Sequence, residues 1–268
     1  MALDWSKAFD SIDPGALLAG LRRFGLPEHV LGVIAAIYSS REFQVRDCGS
    51  DSSSRQQRAG ISQGCPLSPF LFVMIMTVLM RDAADALPPE DQERLRRGTL
   101  SEILYADDSL LLSVSAKSLE RFLVAVSNAG ATYGSELHWG KLQLINVRCQ
   151  DPVRRPDLSR IEPQQSLLYL GSVVAADGRI SSELARKLGF ANCEFRKLSR
   201  LWRHSRLGRT RKVDIFNAVV ATVLMYGLAA AWLNKMTGGS WTASSADACE
   251  QSGASSPRSS HESPMNKF

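Results

Sequence analysis

Residues 103–112 read ILYADDSLLL. Two adjacent aspartates, Asp107 and Asp108, interrupt a run otherwise apolar enough for a core strand. A buried carboxylate without a partner is costly, so the pair belongs where the chain turns and where something positive reaches it. The flanks read as two short strands with the aspartates at the joint. An isolated Asp-Asp is often only a solvated hairpin turn. Flanked by ILY and SLLL, it also suits a divalent cation: magnesium is hard and prefers carboxylate oxygen, with manganese as a substitute. A third carboxylate must then come from elsewhere in the chain, and Asp4, at the end of a strand-like start, is the candidate. Three carboxylates can hold two ions, the arrangement of phosphoryl-transfer chemistry.

The rest of the chain alternates helical and strand-like segments irregularly, which predicts an α+β fold and no repeat. Asp13 and Pro14 start a helix with Leu17, Leu18, Leu21 and Phe24 on one face, and Gly25 stops it. A second helix opens at Pro27, with Val30, Leu31, Ile34, Ile37 and Tyr38 on one side. EFQVRD, then GSDSSS as the turn, then RQQRA predict a hairpin near 42–59. GISQGCPLSP is loop chemistry, and FLFVMIMTVLM (70–80) is a buried helix too short to span a bilayer. PPEDQERLRRG reads as a polar link. Ser115 caps a helix carrying Leu119, Phe122, Leu123 and Val126, with Gly134 as its stop. KLQLINV and SLLYLGSVV read as strands, and 181–233 as helical. The Ser- and Gly-rich stretch 236–268 reads as disordered.

Composition narrows the function classes. The chain has 268 residues, 44% of them hydrophobic, and a net charge of +5. That suffices for a sizeable core and favours an anionic partner. The five cysteines are scattered with no CxxC pair, which excludes a zinc knuckle or redox motif and fits a reducing compartment. The start has acids and no apolar core, so it is no signal peptide. The expected location is intracellular, in cytoplasm or nucleus, and not secreted. One stretch, 215–233, is apolar enough to span a bilayer; a buried helix is the favoured reading, and membrane tethering the alternative.

YADD in its strand-turn-strand setting resembles the catalytic motif of reverse transcriptases. LDWSKAFDSI resembles their first catalytic motif, GISQGCPLSPFLF their nucleotide- and template-contacting loop and helix, GSELHWGKLQLINV the lysine-bearing motif, and LLYLGSVV the primer-grip hairpin. All occur in the family's order, and the wording is most similar to non-long-terminal-repeat (LINE-type) retrotransposon enzymes. The resemblance implies an antiparallel polymerase palm with packed helices over 1–178, the hairpin near 42–59 as a small fingers-like element, and a helical thumb over 179–235. It implies nucleotidyl transfer onto a primer 3′-hydroxyl, with an RNA template, a DNA primer and deoxynucleoside triphosphates as partners.

Residue by residue, the resemblance implies that Asp4 and Asp107 bridge two magnesium ions while Asp108 supports them. Phe9 would be the aromatic gate against a ribose 2′-hydroxyl, and Gln63 and Gly64 would lie along the incoming nucleotide. There the amide can hydrogen-bond and glycine permits close backbone approach. Lys141 matches the lysine that protonates the leaving pyrophosphate, and Tyr169, Leu170 and Gly171 the turn pressing on the primer. Lys7 and Asp10 are expected to pair locally or start the helix.

From Arg186 to Lys212 there are ten Lys or Arg and one acid, Glu194. On one helix, Arg196, Arg200 and Arg203 would share a side and Leu198, Leu201 and Trp202 another, a surface for nucleic-acid phosphates. Family members carry triphosphate-holding residues upstream of the first motif, a fingers region that is not recognised here. The expectation is therefore a polymerase fragment that extends primers poorly alone. A non-catalytic nucleic-acid-binding remnant of such an element is the alternative.

Overall fold

The computed structural model describes residues 1–204 and 206–228. The tail 236–268 and the end of the apolar stretch, 229–233, lie outside the described residues. The chain divides into two compact units, Met1–Leu167 and Leu168–Phe268. The division falls ahead of residue 178, where the sequence suggested it.

The first unit is built on a three-stranded antiparallel sheet in the spatial order Ala2–Leu3, Asp108–Ser113, Leu100–Tyr105. Side chains alternate across such a sheet. Leu3, Ser109, Leu111 and Leu100 face inward and are buried, whereas Ile103, Tyr105 and Leu112 share the opposite, exposed face. Helix Pro14–Phe24 starts where Asp13 Oδ1 accepts the Ala16 N–H at 2.8 Å and stops at Gly25, φ +108°. Helix Ser68–Asp85 supplies Leu71, Phe72, Ile75 and Leu79, all nearly inaccessible, and packs against Pro14–Phe24 and Ala116–Thr132. Ser115 Oγ caps Ala116–Thr132 by accepting the Ser118 N–H. Arg23 donates to Asp82 and to the Tyr133 hydroxyl at 2.8 Å, and that hydroxyl donates to Asp82 at 2.6 Å. This network ties the three helices together at one end.

Three sequence expectations need correction. PPEDQERLRRG is a helix, Pro89–Arg96. It lacks apolar periodicity because it is anchored by ion pairs: Asp91 is buried, and Arg121 Nε donates to its Oδ2 at 2.5 Å. Its first-turn acids and last-turn arginines also suit the helix dipole. KLQLINV forms no strand; Gln143 bridges Ala2 and Leu144 bridges Pro163. Leu142 and Leu144 bury themselves without a ladder. The 42–59 hairpin is present, but it turns at Cys48 and Gly49, φ +47° and +83°. Part of GSDSSS is therefore its return strand.

The second unit begins within a hairpin, Ser166–Tyr169 with Ser172–Ala175. Helices Ser181–Lys197 and Ser199–His204 follow, then Arg209–Ile215, a π-helical Phe216–Ala221, and Thr222–Met225. Trp202 is buried, stacks on Phe195 at 5.4 Å, and donates its indole N–H to the Phe195 carbonyl at 2.9 Å. The apolar stretch from Ile215 is not one helix. It widens to π geometry and leaves the helix at Tyr226 and Gly227, the latter at φ +76°. Among the described residues no helix is long and apolar enough to cross a membrane.

The Met1 amine continues the sheet register. It donates to the Leu111 carbonyl at 2.7 Å, and the Leu111 N–H donates to the Met1 carbonyl at 2.8 Å.

Candidate active site

Ala2 pairs with Leu110 and Leu3 with Ser109, so the same register sets Asp4 opposite Asp108. Ala106 and Asp107 form the two-residue turn after the last pair, Tyr105 with Asp108. Ala106 sits at φ +53°, a left-handed position that glycine occupies more easily. The three predicted carboxylates thus lie at the same end of the sheet. Partial burial, then the charges of Asp107 and Asp4, raise the pKa of the Asp108 carboxyl.

Lys141 joins them. The short 3-10 turn Trp139–Lys141 follows His138, whose N–H donates to the Asp4 carbonyl at 2.8 Å, and this brings Lys141 Nζ to 3.2 Å from Asp4 Oδ2. In donor type the carboxylates fit a hard divalent cation. In placement they are not gathered: among the described residues no three His, Cys, Asp or Glu side chains stand as a group able to hold a metal ion. Three like charges repel one another, and Lys141 takes the counter-ion position at Asp4.

The glycine-rich loop is tied to the first motif by backbone bonds. The Gly60 N–H donates to the Ile12 carbonyl at 2.8 Å and the Ile61 N–H to that of Phe9 at 2.6 Å. A Cβ on Gly60, at φ +89°, would lie 2.7 Å from Asp10 Cα. Gln63 Nε2 then reaches Asp10 Oδ1 at 3.1 Å. Asp10 therefore pairs across the fold and not locally as expected. Lys7, at φ +53°, does start the short helix Ala8–Ser11. Phe9 is half-buried, its ring stacked on Phe72 at 4.2 Å. Gly64 has φ +85°, a conformation that favours glycine, and no neighbouring protein atom lies within 4 Å of where a Cβ would stand.

Sequence reasoning missed Arg41. Its guanidinium donates to Ser62 Oγ and to the Gly60 carbonyl, both at 2.6 Å, over the Tyr38 ring at 4.1 Å. A single arginine between a helix and a hairpin carries no sequence signal for that role.

The remaining predicted residues lie in the second unit or at its start. Leu170 and Gly171, φ +48° and +74°, make the two-residue turn after Tyr169. Arg196, Arg200 and Arg203 are all exposed. They do not share one helix: Ser181–Lys197 ends before Leu198, and Arg200 and Arg203 belong to Ser199–His204. Burial of Trp202 against Phe195 accompanies the break.

The sheet end bears three aspartates, and the glycine loop is locked to the segment that carries the first of them. The family described as reverse transcriptase (RNA-dependent DNA polymerase) matches residues 1–174, and the chain belongs to it. Similar proteins are the retrovirus-related Pol polyprotein from the type-2 retrotransposable element R2DM of Drosophila melanogaster, 25% identical over 70% of this chain and 18% of its own length. Another is the R2 Pol polyprotein of Popillia japonica, 25% identical over 85% of this chain and 32% of its own. The chain thus spans less than a third of the length of these relatives. A solved structure of telomerase from Candida albicans in complex with a telomeric RNA fragment aligns with 93% of this chain and 40% of its own, at 12% identity and TM-score 0.47.

The Gly60 contact makes a direct expectation. Gly60→Ala must combine left-handed strain with a backbone collision, so it should destabilise the first unit by about 1–3 kcal/mol in denaturant titration. Exchange of the Ile61 amide should accelerate with it. A neutral substitution would show that the loop is not seated on Asp10.

Proposed function

We propose that the chain carries the palm and thumb of an RNA-directed DNA polymerase of a non-LTR retrotransposon. On this reading it adds deoxynucleotides to a DNA primer along an RNA template. The observation that carries the reading is the register that sets Asp4 against Asp108 beside Asp107. Family membership supports it.

Asp4, Asp107 and Asp108 would hold the divalent ions. Two bound magnesium ions would supply activation of the primer hydroxyl and neutralisation of the leaving oxygen. Lys141, paired with Asp4 at 3.2 Å, holds a proton at Nζ beside these carboxylates. From there it can pass that proton to a departing pyrophosphate. Phe9 is fixed by its stack on Phe72, so its ring cannot turn aside easily to admit a 2′-hydroxyl. Gln63, oriented by Asp10, offers its amide to the nucleotide. Tyr169, Leu170 and Gly171 form the turn at the primer. Arg196, Arg200 and Arg203 give backbone contacts from two successive helices, which suits a curved duplex read without regard to sequence.

A non-catalytic nucleic-acid-binding role is the second reading, favoured by the Lys141–Asp4 pair and by carboxylates that are not gathered. Manganese titration followed by water-proton relaxation separates the two. The polymerase reading expects binding that Asp107→Asn weakens at least tenfold and that coincides with loss of magnesium-dependent primer extension. Equal manganese affinity in both proteins would refute the assignment. Where extension is measurable, Phe9→Val should raise ribonucleotide use relative to deoxyribonucleotide.

Combined replacement of Arg196, Arg200 and Arg203 by Gln should weaken binding to primer–templates of any sequence alike. It should also lower the salt dependence, by a slope of up to about 3. Fluorescence anisotropy across a salt series measures both. A loss confined to one sequence would contradict phosphate contact.

A further inference from the structure

The hairpin Ser166–Tyr169 with Ser172–Ala175 is too short to hold a fixed shape by its own ladder. Its turn also carries two left-handed residues, one of them Leu170. The second unit supplies what the ladder lacks. Arg186 Nη2 donates to the Gly171 carbonyl at 2.5 Å, and the Tyr226 hydroxyl donates to the Leu170 carbonyl at 3.3 Å. Glu183 Oε2 accepts the Val173 N–H at 2.9 Å. Both turn carbonyls and the first return-strand amide beyond Ser172 are therefore taken by side chains of later elements.

Those side chains brace one another. Glu183 is buried and accepts both Arg186 Nε and Nη2 at 2.9 Å. Lys187 is also buried, with Nζ 3.8 Å from Glu183 Oε1 and 4.6 Å from the centre of the Tyr226 ring. Arg186 lies over Phe190 at 5.3 Å. Gly227 follows Tyr226 so closely beneath the hairpin that a Cβ there would collide with Ser172 Oγ. One acid facing two cations leaves this cluster with a surplus positive charge, which suits a turn that approaches phosphates.

We propose that Glu183, Arg186 and Tyr226 are positioning residues that lock the turn Leu170–Gly171 to helix Ser181–Lys197. The turn and the exposed Arg196, at the end of this helix, with Arg200 and Arg203 on the next, then engage nucleic acid as one body. The ligand is a duplex with a recessed 3′ end: the arginines take the backbone and the turn takes the end. This rests on the polymerase reading above. It adds that the turn is not an independent flap, and that three residues outside every motif set its position.

The test uses the full chain and three variants, Tyr226→Phe, Arg186→Lys and Arg186→Ala. Tyr226→Phe removes only the hydroxyl donor, from a ring that is 59% exposed, so the fold should survive it. Hydrogen exchange at the Gly171 to Val173 amides reads the lock directly. Tyr226→Phe should raise that exchange about threefold and Arg186→Ala about tenfold or more, with Arg186→Lys between wild type and Ala. Affinity for a primer–template with a recessed 3′ end should fall in the same order. Affinity for a closed duplex with no free end should hold within about twofold.

Exchange at the turn that ignores all three variants would overturn the lock. Equal loss of affinity for open and closed duplexes would overturn the positioning role, since only the backbone contacts would then have been disturbed. A wild-type chain with no affinity for either duplex, but with exchange that loosens as stated, would sink the polymerase reading while supporting the lock itself.

Discussion

Two residue pairs, Ala2 with Leu110 and Leu3 with Ser109, carry the geometry on which the rest of the first unit depends. They bring the first and second halves of the acidic site together across more than a hundred residues. A slip of one residue would turn Asp4 to the opposite face of the sheet. Trp5 guards against that slip. Its indole N–H donates to Ser109 Oγ at 3.2 Å, and its ring lies where a Cβ on Gly130 would stand, 2.6 Å from Trp5 Cζ3. The strand register is thus pinned from the helix layer, by a side chain adjacent to the aspartate it positions.

The same economy governs the loop that faces the nucleotide in our reading. Gly60 and Ile61 bond to the carbonyls of Ile12 and Phe9, so the loop is registered on the segment that also carries Asp4. Arg41 closes the other side of that loop. Behind both, Arg23, Asp82 and Tyr133 hold three helices at a common end. Burial raises the pKa of the Tyr133 hydroxyl to about 12, helped by Asp82, so the proton that bridges to Asp82 stays in place at any ordinary pH. The site therefore rests on elements whose mutual positions are set by hydrogen bonds between distant residues, not by the motifs alone.

Much was legible from local chemistry. The Asp13 cap, the Pro14 start and the Gly25 stop bound a helix as written, because capping depends on a few neighbouring residues. The Asp107 turn was legible because its flanks are apolar on both sides. Helix Pro89–Arg96 was not, since it is held by the buried Asp91–Arg121 pair and carries little apolar periodicity of its own. The break at Leu198 was not legible either, because the basic pattern around it continues without interruption.

What the sequence determined by itself is the order and chemical kind of the parts: an acidic pair in an apolar hairpin, a glycine loop before a buried helix, and a basic segment after a second hairpin. These follow from residue types a few positions apart, where sterics and hydrophobic period act directly. Only the tertiary structure decided that Asp4 faces Asp108, that Lys141 pairs with Asp4, that Asp10 orients Gln63, and that Arg186 and Tyr226 hold the turn at Leu170. Each of these joins residues far apart in the chain. Their distance is set by strand register and helix packing, which sum many weak contacts over the whole unit and leave no mark at the positions they bring together.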